Sequence, residues 1–114
     1  MSENLKVGVR KFDSIAIIDM KGEVSSFADA AINSLVQATV NEGVQQIAMN
    51  FTDVGYINSS GIAILIGIVT SPVNKDVTFI VYGLTPHFKK IFRMIGLTQY
   101  VKVLATEEEA LAAF

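Results

Sequence analysis

Two hydrophobic rhythms alternate along this chain, and together they leave few folds open. Leu5, Val7 and Val9 alternate with Lys6, Gly8 and Arg10 in the period-two pattern of a half-buried strand. Asp13-Ser14 supplies turn chemistry before a second run from Ile15 to Met20, so the pair reads as a β-hairpin. After Gly22, Ser26 and Asp29 have capping-box spacing, and Ala28, Ala31, Ile32, Leu35 and Thr39 recur at helical intervals until Gly43. Ile47, Met49 and Phe51 form a third strand, and the polar stretch from Thr52 to Ser60 leads into a helix from Ile62 to Thr70. That helix is apolar nearly all round, which predicts that it is deeply covered.

Ser71-Pro72 stops it, and Val77 to Val81 is a short β-branched strand. Thr85-Pro86 has the form of an N-cap with proline at the first helical position, and Phe88, Ile91, Phe92 and Ile95 make one apolar face ending at Gly96. Val101 and Val103 mark a last edge strand, and Thr106 and Glu109 again have capping-box spacing before Ala110, Leu111 and Phe114. The order β-β-α-β-α-β-α-β-α predicts an α/β fold: a mixed central sheet of about five strands with about four helices, largely parallel and entered by an antiparallel hairpin. With 114 residues and no linker, repeat or low-complexity segment, residues 1–114 are expected to form a single domain.

Composition narrows the function. A formal charge of −2 argues against nucleic-acid binding, which calls for a basic excess. The absence of cysteine excludes disulfides and thiolate ligands, and a single histidine gives no basis for a metal site; no cofactor is expected. The N-terminal residues have no basic segment followed by an apolar run, and the longest apolar run, Ile62 to Val69, is too short to cross a bilayer. A cytoplasmic protein without membrane insertion is expected.

The segment Asn58-Ser59-Ser60-Gly61 stands directly before the apolar helix. One of these residues should cap it, and the free N–H groups of the first turn should face solvent. A phosphate on Ser59 would place about −1.5 to −2 charges beside the positive end of the helix dipole, where the fold tolerates them. A plainer reading of the same spacing is that Asn58, Ser59 and Ser60 only cap a buried helix. In open sheets functional loops collect at the carboxyl ends of strands, where the polar stretch from Thr52 to Ser60 falls.

The run from Asp53 to Leu65, Asp-Val-Gly-Tyr-Ile-Asn-Ser-Ser-Gly-Ile-Ala-Ile-Leu, resembles the phosphorylation-site segment of STAS domains, in particular the bacterial anti-sigma factor antagonists. Gly22-Glu23-Val24, Thr85-Pro86, the run Ile91 to Leu97 and Glu107 to Ala110 fall where that family has similar residues. The resemblance implies partner switching: an anti-sigma factor serine kinase binds either a sigma factor or the unphosphorylated antagonist, and phosphorylates the antagonist to release it. A PP2C-type phosphatase resets the cycle. By position the phosphoacceptor is Ser59, with Ser60 the less favoured neighbour, and the partner surface comprises Ser25, Ser26, Asn58, Ser59, Ser60, Gly61 and Ile62.

The chain departs from the family by carrying Asn58, Ser25 and Asn50 where acids are usual. A kinase that reads acidic residues would lose charge-assisted hydrogen bonds there. The alternative is a non-phosphorylated STAS scaffold or an accessory subunit of a signalling complex or membrane transporter. A small hydrolase would need His87, the only histidine, with Ser59 or Ser60 and Asp53, but no Gly-x-Ser-x-Gly elbow is present, and no enzyme activity is expected. Lys89, Lys90 and Arg93 put positive charge on the outer face of the third helix, either as a solvated face or as a contact for an acidic partner.

Overall fold

The computed structural model describes residues 5–25 and 29–114. The expected cap at Ser26, and Ala28 with it, lie outside them. The elements are β1 (Leu5–Phe12), β2 (Ile15–Val24), α1 (Asp29–Asn41), β3 (Gln46–Ile57), α2 (Ser59–Thr70), β4 (Thr78–Tyr82), α3 (Pro86–Met94), β5 (Val101–Leu104) and α4 (Glu107–Ala112). The order is the one the sequence predicts. The sheet runs β1-β2-β3-β4-β5, with β1 antiparallel to β2 and every other pair parallel. The hairpin turns through Asp13 at φ +56, a left-handed conformation that aspartate tolerates.

Because each parallel strand is added on the same side of its predecessor, right-handed crossovers put α1, α2 and α3 on one face of the sheet. The main core lies there. Ile18 and Met20 of β2, Ile47, Met49 and Phe51 of β3, and Phe79 and Val81 of β4 meet Ile32, Val36, Leu65, Ile68, Phe88 and Phe92 of the helices. Phe51 and Phe92 pack edge to face, with ring centroids 6.0 Å apart. The alternate residues Ile17, Ala48, Ile80 and Tyr82 form a smaller core on the other face, closed by Ala110 of α4.

Two expectations are corrected. The polar stretch after Phe51 is not a loop, because β3 continues to Ile57 beside β2. Two register shifts, between Asp19 and Lys21 and between Gly22 and Glu23, each insert one extra residue into β3. Its buried positions therefore fall at Phe51, Val54 and Ile57, a three-residue spacing that hides the strand from any period-two search. The second helix, moreover, is covered on one side only: Gly61, Leu65 and Ile68 are buried, while Ala63, Ile66 and Gly67 are exposed. With α1 and α3 on its own side of the sheet, α2 has no layer above it.

A polar network ties the second face together. Arg10 on β1 donates through Nε to Asp19 Oδ2 at 2.6 Å and through an Nη to Glu107 Oε1 at 2.6 Å. Asn50 Nδ2 on β3 donates to Asp19 Oδ1 at 2.8 Å, and the Tyr82 hydroxyl on β4 donates to Glu107 Oε1 at 2.8 Å. Four strands and the first residue of α4 are thus linked through one guanidinium. The hydrogen bonds from Arg10 hold both carboxyls below the ordinary carboxylate range, helped by Asn50 at Asp19 and by Tyr82 at Glu107.

Gly61 sits where a side chain has no room: a Cβ there would lie 2.2 Å from the Val24 carbonyl oxygen. Gly67, on the same helix, has open space around it. Gly61→Ala should therefore destabilise the fold by about 3 kcal/mol through forced backbone displacement. Gly67→Ala should stabilise it by roughly 0.5–1 kcal/mol through helix propensity. Urea unfolding of the two variants checks both signs.

The network also fixes a pH dependence. Asp19 and Glu107 have depressed values in the folded protein, so their stabilisation is complete above the unfolded carboxylate range of about 4 and is lost as pH falls through the folded values. Arg10→Gln should flatten the acid limb of Tm against pH below about pH 5, measured by thermal unfolding at stepped pH.

Candidate functional site

The best-defined constellation on the surface is the start of α2, and backbone contacts with the end of β2 fix it. Val24 is paired with Ile57 in the parallel register, and the Asn58 N–H donates to the Val24 carbonyl at 3.1 Å. Asn58 is extended, at φ −90 and ψ 179, and its Oδ1 accepts the Gly61 N–H at 2.8 Å. Its carbonyl accepts the Ile62 N–H at 2.9 Å. Asn58 is therefore the N-cap, and Ser59 and Ser60 are the first two residues of the helix. Both are exposed.

The amides of Ser59 and Ser60 belong to the first turn, where no intrahelical acceptor exists. No acidic residue occupies that turn. The result is a hydroxyl at the positive end of a helix, free of neighbouring negative charge on its own element.

The other residues expected at a partner surface separate by environment. Ser25, half-buried, follows Val24 and so stands beside the Asn58 cap, while Ser26 is outside the described residues. Gly61 is turned inward against Val24. Ile62 is half-buried and lines a cleft of about 640 Å³ with Tyr56, Asn58 and Ser59 on one side and His87 and Ile91 on the other. That cleft lies between the starts of α2 and α3. Thr85 Oγ1 caps α3 by accepting the Phe88 N–H at 3.2 Å, with Pro86 at the first helical position. Gly83 brings this second helix start close, since at φ +82 it leaves no space for a Cβ beside Thr52 of β3.

Tyr56 was not singled out by the sequence pattern, yet its side chain is among the most exposed of the large hydrophobic ones, at 52%. Its position becomes intelligible only once the second bulge in β3 has turned it outward beside the serines. His87 is exposed, with its ring edge against Phe88 at 5.1 Å between centroids. It shares the cleft with Ser59, whereas Asp53 lines a different depression with Lys21 and Asn50. Asp53, which a Ser-His-Asp arrangement would use, is thus not among the residues that line the cleft of Ser59 and His87.

Asn50 has a structural explanation away from the serines. It donates to Asp19 and its Oδ1 accepts the Thr52 N–H at 2.9 Å, so an acid in its place would set a second carboxylate against Asp19. Among the described residues no helix is long and apolar enough to cross a membrane.

Comparison with known proteins agrees with this architecture. An anti-sigma-B factor antagonist from Listeria monocytogenes is 22% identical over 110 residues, covering 96% of this chain and 95% of that protein. The crystal structure of an anti-sigma factor antagonist from Mycobacterium paratuberculosis has the same fold, with a TM-score of 0.82 at 20% identity over 96% of this chain and 92% of that one. The Bacillus cell fate determinant SpoIIAA in its phosphorylated form gives 0.72 at 23% identity over 95% and 98%. The STAS domain model matches residues 6–110, which include both sheet faces, the glycine-seated helix and its serines, and the chain belongs to the STAS domain family.

Proposed function

We propose that this chain is a cytoplasmic, single-domain anti-sigma factor antagonist. It binds an anti-sigma factor kinase through the start of α2, releases the sigma factor that kinase held, and is switched off when the kinase phosphorylates Ser59. A PP2C-type phosphatase reverses the switch. The observation that carries this reading is the placement of Ser59: exposed, in a helix turn without acidic residues, and directly after an Asn58 cap on a helix packed tightly against Val24 through Gly61. The relatives named as anti-sigma factor antagonists support it.

The physical logic separates the fold from the interface. A phosphate on Ser59 sits at the positive end of α2, in a cleft whose lining residues include no carboxylate, so the folded domain accommodates it. In a closed interface the same dianion would lack water and a matching cation, a cost on the order of several kcal/mol. Charge added at one hydroxyl thus selects between bound and free states. In this reading Ser25, Asn58, Ser60 and Ile62 belong to the partner surface, of which Asn58 and Ile62 line the cleft with Ser59, while Gly61 acts from behind by seating the helix. Ser60, one residue further on, is the less favoured alternative to Ser59 as acceptor.

The test uses an anti-sigma factor kinase from the same genome. Ser59→Ala should abolish phosphate incorporation while leaving kinase binding within about twofold. Ser59→Asp should weaken binding by about tenfold or more at unchanged Tm, because it supplies part of the charge without the modification. Full incorporation into Ser59→Ala, or unaltered affinity of Ser59→Asp, would remove Ser59 from the mechanism. Asn58→Asp keeps the cap, since Asp and Asn cap equally well, and should raise the phosphorylation rate of a kinase that reads acidic neighbours. Co-purification with a membrane transporter in place of a kinase would move the chain to an accessory-subunit role.

A further inference from the structure

The basic segment around α3 takes no part in the mechanism above. Residues 77–106 hold four of the nine Lys and Arg residues, Lys89, Lys90, Arg93 and Lys102, and none of the eleven acids. Arg10 and Lys11 near the N-terminus are both in ion pairs, with Asp19, Glu107 and Glu42. Lys89, Lys90 and Arg93 have no ion-pair partner among the described residues. A concentration of unpaired positive charge in a chain of net charge −2 gives this side its own field.

The charge lies beside a free sheet edge. β5 is last in the strand order, so no strand covers its outer edge among the described residues. Lys89 and Arg93, one helical turn apart, line a depression of about 310 Å³ shared by α3, α4 and the carboxyl end of β5. Val103, Leu104 and Ala105 line it too, with Thr98 at one end. On the far wall Glu109 is engaged, its Oε1 accepting the Ala105 N–H at 3.0 Å. Exposed apolar side chains also gather here: Met94, Ile95 and Tyr100 are 73%, 45% and 56% exposed and lie within the seven residues that lead into β5.

An unpaired strand edge offers backbone N–H and C=O groups to any extended chain, and side-chain charge decides which chain is admitted. A second copy of this molecule is disfavoured, since pairing β5 with β5 would set Lys102, Lys89 and Arg93 against their own counterparts. The geometry points to an extended acidic segment of a partner protein, added beside β5 as a sixth strand with its carboxylates on Lys89 and Arg93. Neither residue lines the cleft of Ser59, so this contact is independent of phosphorylation there.

The experiment titrates the isotope-labelled full chain with three synthetic peptides and follows its amide resonances. One peptide alternates Glu and Val over eight residues, the second alternates Lys and Val, and the third alternates Glu and Pro, with the first one's charge but half of its backbone donors missing. The Glu-Val peptide should perturb the amides of residues 101–105, and the Lys-Val peptide should not. The Glu-Pro peptide should bind at least about tenfold more weakly than Glu-Val. The variant Lys89→Gln/Arg93→Gln, whose altered side chains are exposed, should keep the wild-type Tm and lose about tenfold in Glu-Val affinity. No binding by Glu-Val, equal binding by Glu-Pro, indifference to the double substitution, or perturbations confined to the start of α2 would each overturn the proposal.

Discussion

A backbone contact with no space for a methyl group governs the working end of this molecule. The first turn of α2 is pressed against the last carbonyl of β2, and only glycine at position 61 permits it. The Asn58 N–H binds that same Val24 carbonyl, and the Asn58 side chain binds the Gly61 amide, so strand end, cap and helix form one rigid corner. The consequence is geometrical: the residue after the cap has nowhere to go but outward. Ser59 is displayed because Gly61 is buried, and the helix dipole aligned behind it favours negative charge at that point. The proposed modification needs an accessible hydroxyl, and Ser59 is exposed.

The rest of the fold serves to hold the corner. Sequential parallel strands force three helices onto one face, which gives the Leu65 and Ile68 side of α2 a floor that includes Met49 and Phe51 of β3 but no roof. Its outer residues Ala63 and Ile66, although apolar, are consequently exposed. On the opposite face α4 is short, and the Arg10 network fastens it across the sheet where apolar contact alone is limited to a few residues. Because the participating carboxylates are partly exposed, that network contributes positional order more than stability.

Much of the architecture was legible because its signals are local. Thr85-Pro86 and the Thr106 to Glu109 spacing state where helices begin, and Thr85 and Thr106 indeed accept the amides of Phe88 and Glu109. The alternation in β1 turns Leu5 and Val7 toward the core, although Val9 at the same spacing is exposed. What escaped is what depends on a neighbouring strand. The bulges in β3 arise from pairing with β2, so the three-residue burial rhythm of Phe51, Val54 and Ile57 has no counterpart in single-strand periodicity. Burial of α2 was overestimated for a related reason: apolar composition records what a helix can cover, and only topology says whether a second layer exists. Asn50 illustrates the same limit at the level of one side chain, since its need for an amide follows from Asp19 on another strand. The motif at Asn58 to Gly61 could be located from sequence, whereas Tyr56 beside it could not.

The central claim is that charge on one displayed hydroxyl separates two binding states without disturbing the fold. Its most direct measurement is isothermal titration of an anti-sigma factor kinase with two forms of the full chain, one unmodified and one carrying phosphoserine installed at position 59 during synthesis. The account predicts that both forms unfold at the same temperature and that the phosphorylated one binds at least about a hundredfold more weakly. Equal affinities, or a loss of affinity accompanied by loss of the cooperative unfolding transition, would contradict it.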